Sequence, residues 1–309
     1  KKAEKLWGFI NAYGYQAIPF KFASVGRFSE GLCAVMLSNR WGFIDESGDI
    51  EISPRFQRVE PFSEGRAAVL VQGKWGFIDK AGKSVVVPKY AAVDSFSEGL
   101  AAVKSGYLWG YINRDGKIVI SPQFVRGGSF SEGLAFVRKT WQGKAGWINR
   151  DGKTRVEKSV DDAGKFGDGL VPVLIKGKWG YMDKHGALAI PATFQTANDF
   201  SGGLAAVQTN RKWGHVNQEG KYVLEPTNEY VTDFRDGVAG IYNDGIKYFV
   251  KKSGKVIFKF AIPRVGVYNR YVENFWNSVN ETITIRRIKG KYKVTYWGYR
   301  RTIYGSGSL

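Results

Sequence analysis

"GKWGFIDKAGKSVVVPKYAAVDSFSEGLAAV", residues 73–103, decides the fold because its parts return along the chain. Trp-Gly or its remnant recurs with the glycine at 8, 42, 76, 110, 146, 180 and 214, a step of 34 residues broken once by a step of 36. A period of this size over most of a 309-residue chain specifies one repeat array rather than a pair of ordinary domains.

Each copy carries three strand candidates, "WGFID" (75–79), "SVVVP" (84–88) and "LAAV" (100–103). They are short, rich in β-branched or aromatic side chains, and bounded by Gly, Asp, Asn or Lys, which excludes helix. Between the first two, an Asp or Asn (Asp45, Asp79, Asn113, Asn149, Asp183, Asn217) stands three residues before a glycine. That spacing predicts a type I turn: the side chain accepts hydrogen bonds from the turn's N–H groups, and Gly takes the left-handed position. As a carboxylate series these positions could bind cations, but Asn alternates with Asp and brings no charge, so the turn reading is preferred. The Trp and the Phe or Tyr two residues on share a face and are assigned to the core, with the intervening Gly admitting a close neighbour. Prolines such as Pro54, Pro88 and Pro122 are expected to end the third strand or mark an outer edge. In "FSEG" (28–31, 62–65, 96–99, 130–133) Phe is expected to plug the space between units. The Glu, replaced by Gly202 in one copy, reads as a solvated and dispensable carboxylate.

Trp-Gly-Phe/Tyr-Ile-Asp/Asn-x-x-Gly, then Pro-x-Phe/Tyr, then Phe-Ser-Glu-Gly-Leu-Ala-x-Val resembles the WG-containing (KWG) repeat of bacterial proteins over about residues 5–258. The resemblance implies a β-repeat interaction module with no common chemistry. In the fifth copy Ala145 replaces Trp and Trp147 takes the Phe place; the eighth keeps only apolar alternation. The tail from 261 does not match.

A lone three-stranded meander leaves two faces open, so copies must stack. The expectation is an all-β protein of tandem three-stranded antiparallel repeats over 1–260. They would form a propeller-like ring of about seven to eight units, with an open β-superhelix as the competing arrangement. The small Ala-rich strand would be innermost. Residues 261–309 form a separate basic, aromatic-rich β segment, with "ETITIRRI", "KYKVTYW" and "YRRTIY" as its strands.

Hydrophobic residues are 43% of the chain, aromatics 15%, and there are 39 glycines, a composition for an ordered fold with many tight turns. The net charge is +18, and residues 255–309 hold eleven Lys and Arg against two Glu. Such a surface favours an anionic partner without naming one. Cys33 is the only cysteine, so an intrachain disulfide and a cysteine-based zinc cluster are excluded. No apolar run reaches bilayer length. The start "KKAEKLWGF" lacks a signal-peptide stretch and lies almost in mid-repeat, so upstream sequence is expected; bacterial cytoplasm and cell envelope both stay open.

No catalytic or cofactor constellation emerges. His185 sits in a turn and His215 in a packing position, with no metal-ligand spacing between them. "GKS" (82–84) and "GKT" (152–154) lack the first glycine of a phosphate loop and read as hairpin turns. No cofactor and no metal is called for. Recognition is therefore expected where the period fails. The insertion "RKTWQGKAGW" (138–147) offers Trp141, Lys144 and Trp147. The tail interleaves Arg286, Arg287, Lys289, Lys291, Lys293, Arg300 and Arg301 with Tyr296 and Trp297. The reading is a non-enzymatic protein-interaction scaffold. Nucleic-acid or other anion binding through the tail, and carbohydrate or cell-wall binding through exposed aromatics, are the alternatives.

Overall fold

The structure is a computed structural model that describes residues 6–10, 15–235, 237–261, 284–288 and 291–295. Its described residues contain strands and no helix. Two compact units meet in sequence between Lys89 and Tyr90, the C-terminal hairpin grouping with the first.

In the first unit Trp7–Ile10 pairs with Gln16–Phe22, and a four-stranded sheet follows in the order Ser24–Ser29, Leu32–Leu37, Arg40–Ile44, Ile50–Phe56. The next sheet repeats that order with Arg58–Val59, Ala67–Val71, Lys74–Ile78 and Ser84–Tyr90. The second unit holds five more sheets of the same plan, beginning with Ala92–Val93, Leu100–Ser105, Leu108–Asn113 and Ile118–Phe124, and ending with Val256–Ala261. Each is an open antiparallel meander. The repeat thus has four strands, not the expected three. The extra strand is only two residues long in most copies, too short to show alternation, and it displaces the Ala-rich strand from the sheet edge.

The turn chemistry follows the local expectation. Asp79 Oδ1 accepts from the N–H of Ala81 at 3.1 Å and of Lys83 at 2.8 Å, and Asn113 does the same for Asp115 and Lys117. Gly82 has a positive φ of 76°, and a Cβ there would also stand 3.1 Å from Ile52 of the preceding sheet.

The Trp-Gly glycine answers to a different constraint. A Cβ on Gly110 would lie 2.5 Å from the Ile120 carbonyl oxygen and 2.6 Å from the Pro122 nitrogen. The outer strand bulges over this point: Trp109 pairs with Phe124 and Tyr111 with Ile120, so Gly110 alone faces three residues, Ser121, Pro122 and Gln123. Proline, with no N–H to place in a ladder, occupies the bulge, and the strand continues to Phe124 instead of ending at Pro122. Where the outer strand has no proline, as in Thr154–Lys158 and Val256–Ala261, pairing stays regular past Gly146 and past Tyr248, which stands in the glycine place.

Burial lies between consecutive sheets. Leu32, Phe43, Ile52 and Phe56 of one sheet pack with Phe62, Ala67, Val69 and Ile78 of the next. In the second unit Tyr181, Ile190 and Phe194 pack with Phe200, Ala205, Val207 and Val216. The "FSEG" phenylalanine is the plug: Phe130 meets Tyr111 edge-on at 5.1 Å, and Phe200 meets Tyr181 at 4.7 Å. Each such ring replaces water with carbon contact on both sides, and this is what fixes one sheet on another. Trp109, Trp179 and Trp213 are partly buried at the margin of these cores, while the ring two residues on, Tyr111, Tyr181 or His215, is fully buried.

His215 takes the tyrosine place. Tyr111 Oη donates to the Gly128 carbonyl at 2.8 Å and Tyr181 Oη to that of Asn198 at 2.9 Å; His215 Nε2 reaches the Thr232 carbonyl at 2.9 Å. Burial lowers the His215 pKa, so a neutral ring donating from Nε2 fits the site. His185 lies in its turn, its N–H given to Asp183 Oδ1.

Candidate functional site

Antiparallel order sends the connections of each sheet to two opposite ends. At one end lie the "FSEG" loops and the Asp/Asn turns; at the other lie the hairpin tips before each Trp-Gly strand, with the links to the next sheet.

The first end is occupied in joining repeats. Ser97 Oγ donates to the Phe130 carbonyl at 2.8 Å, and Gly133 N–H donates to Glu98 Oε2 at 2.9 Å. Arg150 reaches the same carboxylate at 3.1 Å. The pattern returns at Ser131 and Glu132 with Phe166, Gly169 and Lys184, and in the first unit at Ser29 and Glu30 with Phe62, Gly65 and Lys80. Asp168 accepts from Gly203 N–H at 2.7 Å. These carboxylates are therefore clasps, and the expectation that they are solvated is corrected. Even where Gly202 replaces the acid, Lys252 Nζ still donates to the residue's backbone carbonyl.

The second end is less committed. Most tips are two-residue turns with positive φ, such as Lys176 and Gly177 at 50° and 75°, or Asn210 and Arg211 at 50° and 62°. In the fifth copy the flanking strands shrink to Ala135–Arg138 and Ala145–Ile148, and the insertion forms a longer loop between them. Arg138 ties that loop down, donating to the Gly143 carbonyl at 3.0 Å and to the Val160 carbonyl at 2.7 Å. Trp141 stands on the tied loop with 76% of its surface exposed, and Lys144 beside it is exposed.

Trp147 does not join them. It is 1% exposed, meets Phe136 edge-on at 5.3 Å and packs with Val156, Val171 and Met182. The reason is that it occupies the fully buried place held elsewhere by Phe or Tyr, so its assignment to a binding surface is corrected.

The sequence reading misses other members of this end. Tyr107, on the preceding tip, is 89% exposed. Lys176, Lys178, Arg211 and Lys212 are exposed on the two following tips. A signal for them exists, since a basic residue precedes Trp-Gly at Arg40, Lys74, Lys178 and Lys212 and stands at Lys144 in the altered copy. None of the exposed tip cations of the second unit forms an ion pair among the described residues.

In the tail, Thr284–Ile288 pairs with Lys291–Thr295, which places Arg286 opposite Lys293 and Arg287 opposite Tyr292. Lys291 lies opposite Ile288. Lys289, Tyr296, Trp297, Arg300, Arg301 and the third expected tail strand lie outside the described residues. Among the described residues no cluster of His, Cys, Asp and Glu has the geometry to hold a metal ion, and no helix is long and apolar enough to cross a membrane.

Tandem open four-stranded antiparallel meanders, joined through their faces, define an all-β repeat protein of the propeller-like class. The chain belongs to the WG containing repeat family, whose model matches residues 7–41, 41–75, 75–109, 109–140, 146–179, 179–213 and 213–245. Among solved structures, one described as the eukaryotic initiation factor is similar with a TM-score of 0.57 at 11% identity, over 80% of this chain and 81% of that one. KlHsv2 with its loop 6CD replaced by a Gly-Ser linker is similar with a TM-score of 0.50 at 10% identity, over 76% of this chain and 96% of that one. At such identities the likeness concerns the fold alone. A virginiamycin B lyase from Staphylococcus aureus has a TM-score of 0.43 at 15% identity, over 75% and 92% of the two chains. No curated protein matches.

Proposed function

We propose that this protein is a non-enzymatic protein-interaction scaffold, in which the array of residues 1–260 supplies a rigid frame and its hairpin tips the recognition. One observation carries the reading. Tyr111, Tyr181, Phe130 and Phe200 of the framework are drawn into cores between sheets and Trp109, Trp179 and Trp213 lie partly buried at their margins, whereas Trp141 is held outward on a loop that Arg138 pins in place. A large apolar ring kept in water on a braced loop has the character of an interface anchor. Affinity purification of the full chain from its native source is expected to recover a stoichiometric partner that Trp141→Ala loses, with the melting temperature unchanged. Recovery of no partner, or of one indifferent to every tip and tail substitution, overturns the reading.

A second reading is favoured by the tail register, where residues 261–309 act as a separate segment. The backbone register sets Arg286 opposite Lys293, and such pairing of basic positions within a strongly basic segment favours an anionic ligand. Single-stranded nucleic acid is the ligand class that fits, and affinity falling steeply with salt and with Arg286→Ala and Lys293→Ala would support it.

A further inference from the structure

The tip end of the second unit carries more charge than the fold uses. Lys144, Lys176, Lys178, Arg211 and Lys212 project from three successive tips, all exposed. At the opposite end Arg150 and Lys184 are spent on Glu98 and Glu132. Facing sheets pack about 10 Å apart, so charges on consecutive tips recur at about that interval. A peptide in the extended polyproline II conformation advances about 3.1 Å per residue with three residues per turn, so a carboxylate on every third residue keeps step with them on one face.

Two features separate a peptide from a nucleic acid. Asp161, whose carboxylate accepts the Gly177 N–H at 3.4 Å, stands among these cations, and the following tip carries the exposed Asp244. Spaced carboxylates can avoid both, but a backbone charged at every nucleotide cannot. The two most exposed rings, Trp141 and Tyr107, lie at one end of the row; Tyr230 near the other end is 39% exposed and its ring packs edge-on against Trp213, so the tips between carry no series of open stacking platforms for successive bases. One apolar anchor beside a row of cations matches a peptide with one apolar side chain leading an acidic stretch.

We infer that the hairpin tips of the second unit bind an extended acidic segment of a protein partner, with Trp141 as its apolar anchor. The inference rests on the scaffold reading and narrows it to a partner chemistry.

The test uses the full chain and two fluorescein-labelled probes, an acidic peptide with Glu at every third residue, Ser between and one terminal Leu, and oligothymidylate of equal net charge. The peptide is expected to bind more tightly than the oligonucleotide and to weaken with added salt. Trp141→Ala, and separately Lys144→Glu with Lys178→Glu and Lys212→Glu, should each lower peptide affinity by about tenfold or more, the loss of at least about one strong interaction. Melting temperatures should stay at the wild-type value, since these side chains are exposed. Acrylamide quenching attributable to Trp141, taken as wild type minus Trp141→Phe, should fall when peptide binds. Tighter binding of oligothymidylate, peptide affinity indifferent to the variants, or no peptide binding would each overturn the inference. If a native partner is recovered whose binding ignores charge reversal at the tips, this inference falls and the scaffold reading stands; if none is recovered, both fall.

Discussion

The carboxylate of Glu98 accepts the backbone N–H of Gly133 at 2.9 Å across 35 residues of sequence, so this "FSEG" loop holds the next one in its conformation, as Glu30, Glu132 and Asp168 do at theirs. Glu98 has a positive φ of 54°, a conformation that costs a side-chain-bearing residue energy and that the clasp helps to offset.

Glu98→Ala keeps the backbone requirement and removes the acceptor. We expect a loss of about 1–2 kcal/mol in thermal or urea unfolding, the range for a charge-assisted hydrogen bond to a part-exposed group. Glu98→Gln, which retains an acceptor for Gly133 and loses the charge facing Arg150, should fall between Ala and wild type. Equal stability of all three would show that the clasp carries no energy.

Glu132 gives the same contact a pH signature. Burial pushes its pKa up, but the Lys184 ammonium and the Gly169 N–H outweigh that and hold it below the ordinary value of 4.5. A carboxylate depressed in the folded state stabilises above its unfolded pKa, and that contribution is lost as pH falls through the folded one. The stability gap between wild type and Glu132→Ala should therefore be full at neutral pH and shrink steadily below 4.5. Urea midpoints at a series of pH values check this, and a gap that persists in strong acid would contradict it.

Gly110 and Gly146 form a matched pair. A Cβ at Gly110 meets backbone at 2.5 Å, whereas at Gly146 the nearest atom is 3.4 Å away, because no bulge covers it. Gly110→Ala should cost about 2–4 kcal/mol through backbone displacement, and Gly146→Ala less than about 1 kcal/mol. Unfolding midpoints of the two variants decide it.

Cys33 reports on the first unit. Its thiol is fully buried within the Ile18, Phe22 and Ile44 core, and burial pushes its pKa up to about 12. As the chain's only cysteine it should resist iodoacetamide in the folded state at pH 8 and label in step with urea unfolding of that core. Rapid labelling without denaturant would show that the unit opens locally.

Features set by near neighbours along the chain are legible in the sequence itself. Asp79 and Gly82 build their turn from groups four residues apart, so the spacing alone carries the geometry. The plugging role of Phe130 is legible for a related reason, because its recurrence requires a common environment. Glu98 looks solvated in sequence because its partner lies one full repeat away, and a polar residue in a Gly-rich loop shows no other tie. The two-residue strand Ala92–Val93 leaves no sequence signal because only its pairing with Lys104 and Val103 makes it a strand. At the candidate site, the insertion singles out both Trp141, which is exposed, and Trp147, which is buried, since an indole next to a lost indole reads equally as display or as replacement. The tip cations do leave a mark in the sequence, the basic residue before Trp-Gly, but as part of the period it reads as framework, whereas Trp141 stands out by breaking it.

The loop-to-loop clasp has a consequence for how such chains change over generations. Every junction of this kind offers a matching acceptor on one side and donor on the other, so unequal recombination that adds or deletes a whole copy leaves compatible ends. Copy number can drift by duplication while the tips diverge, with inheritance of the frame separated from inheritance of what it recognises.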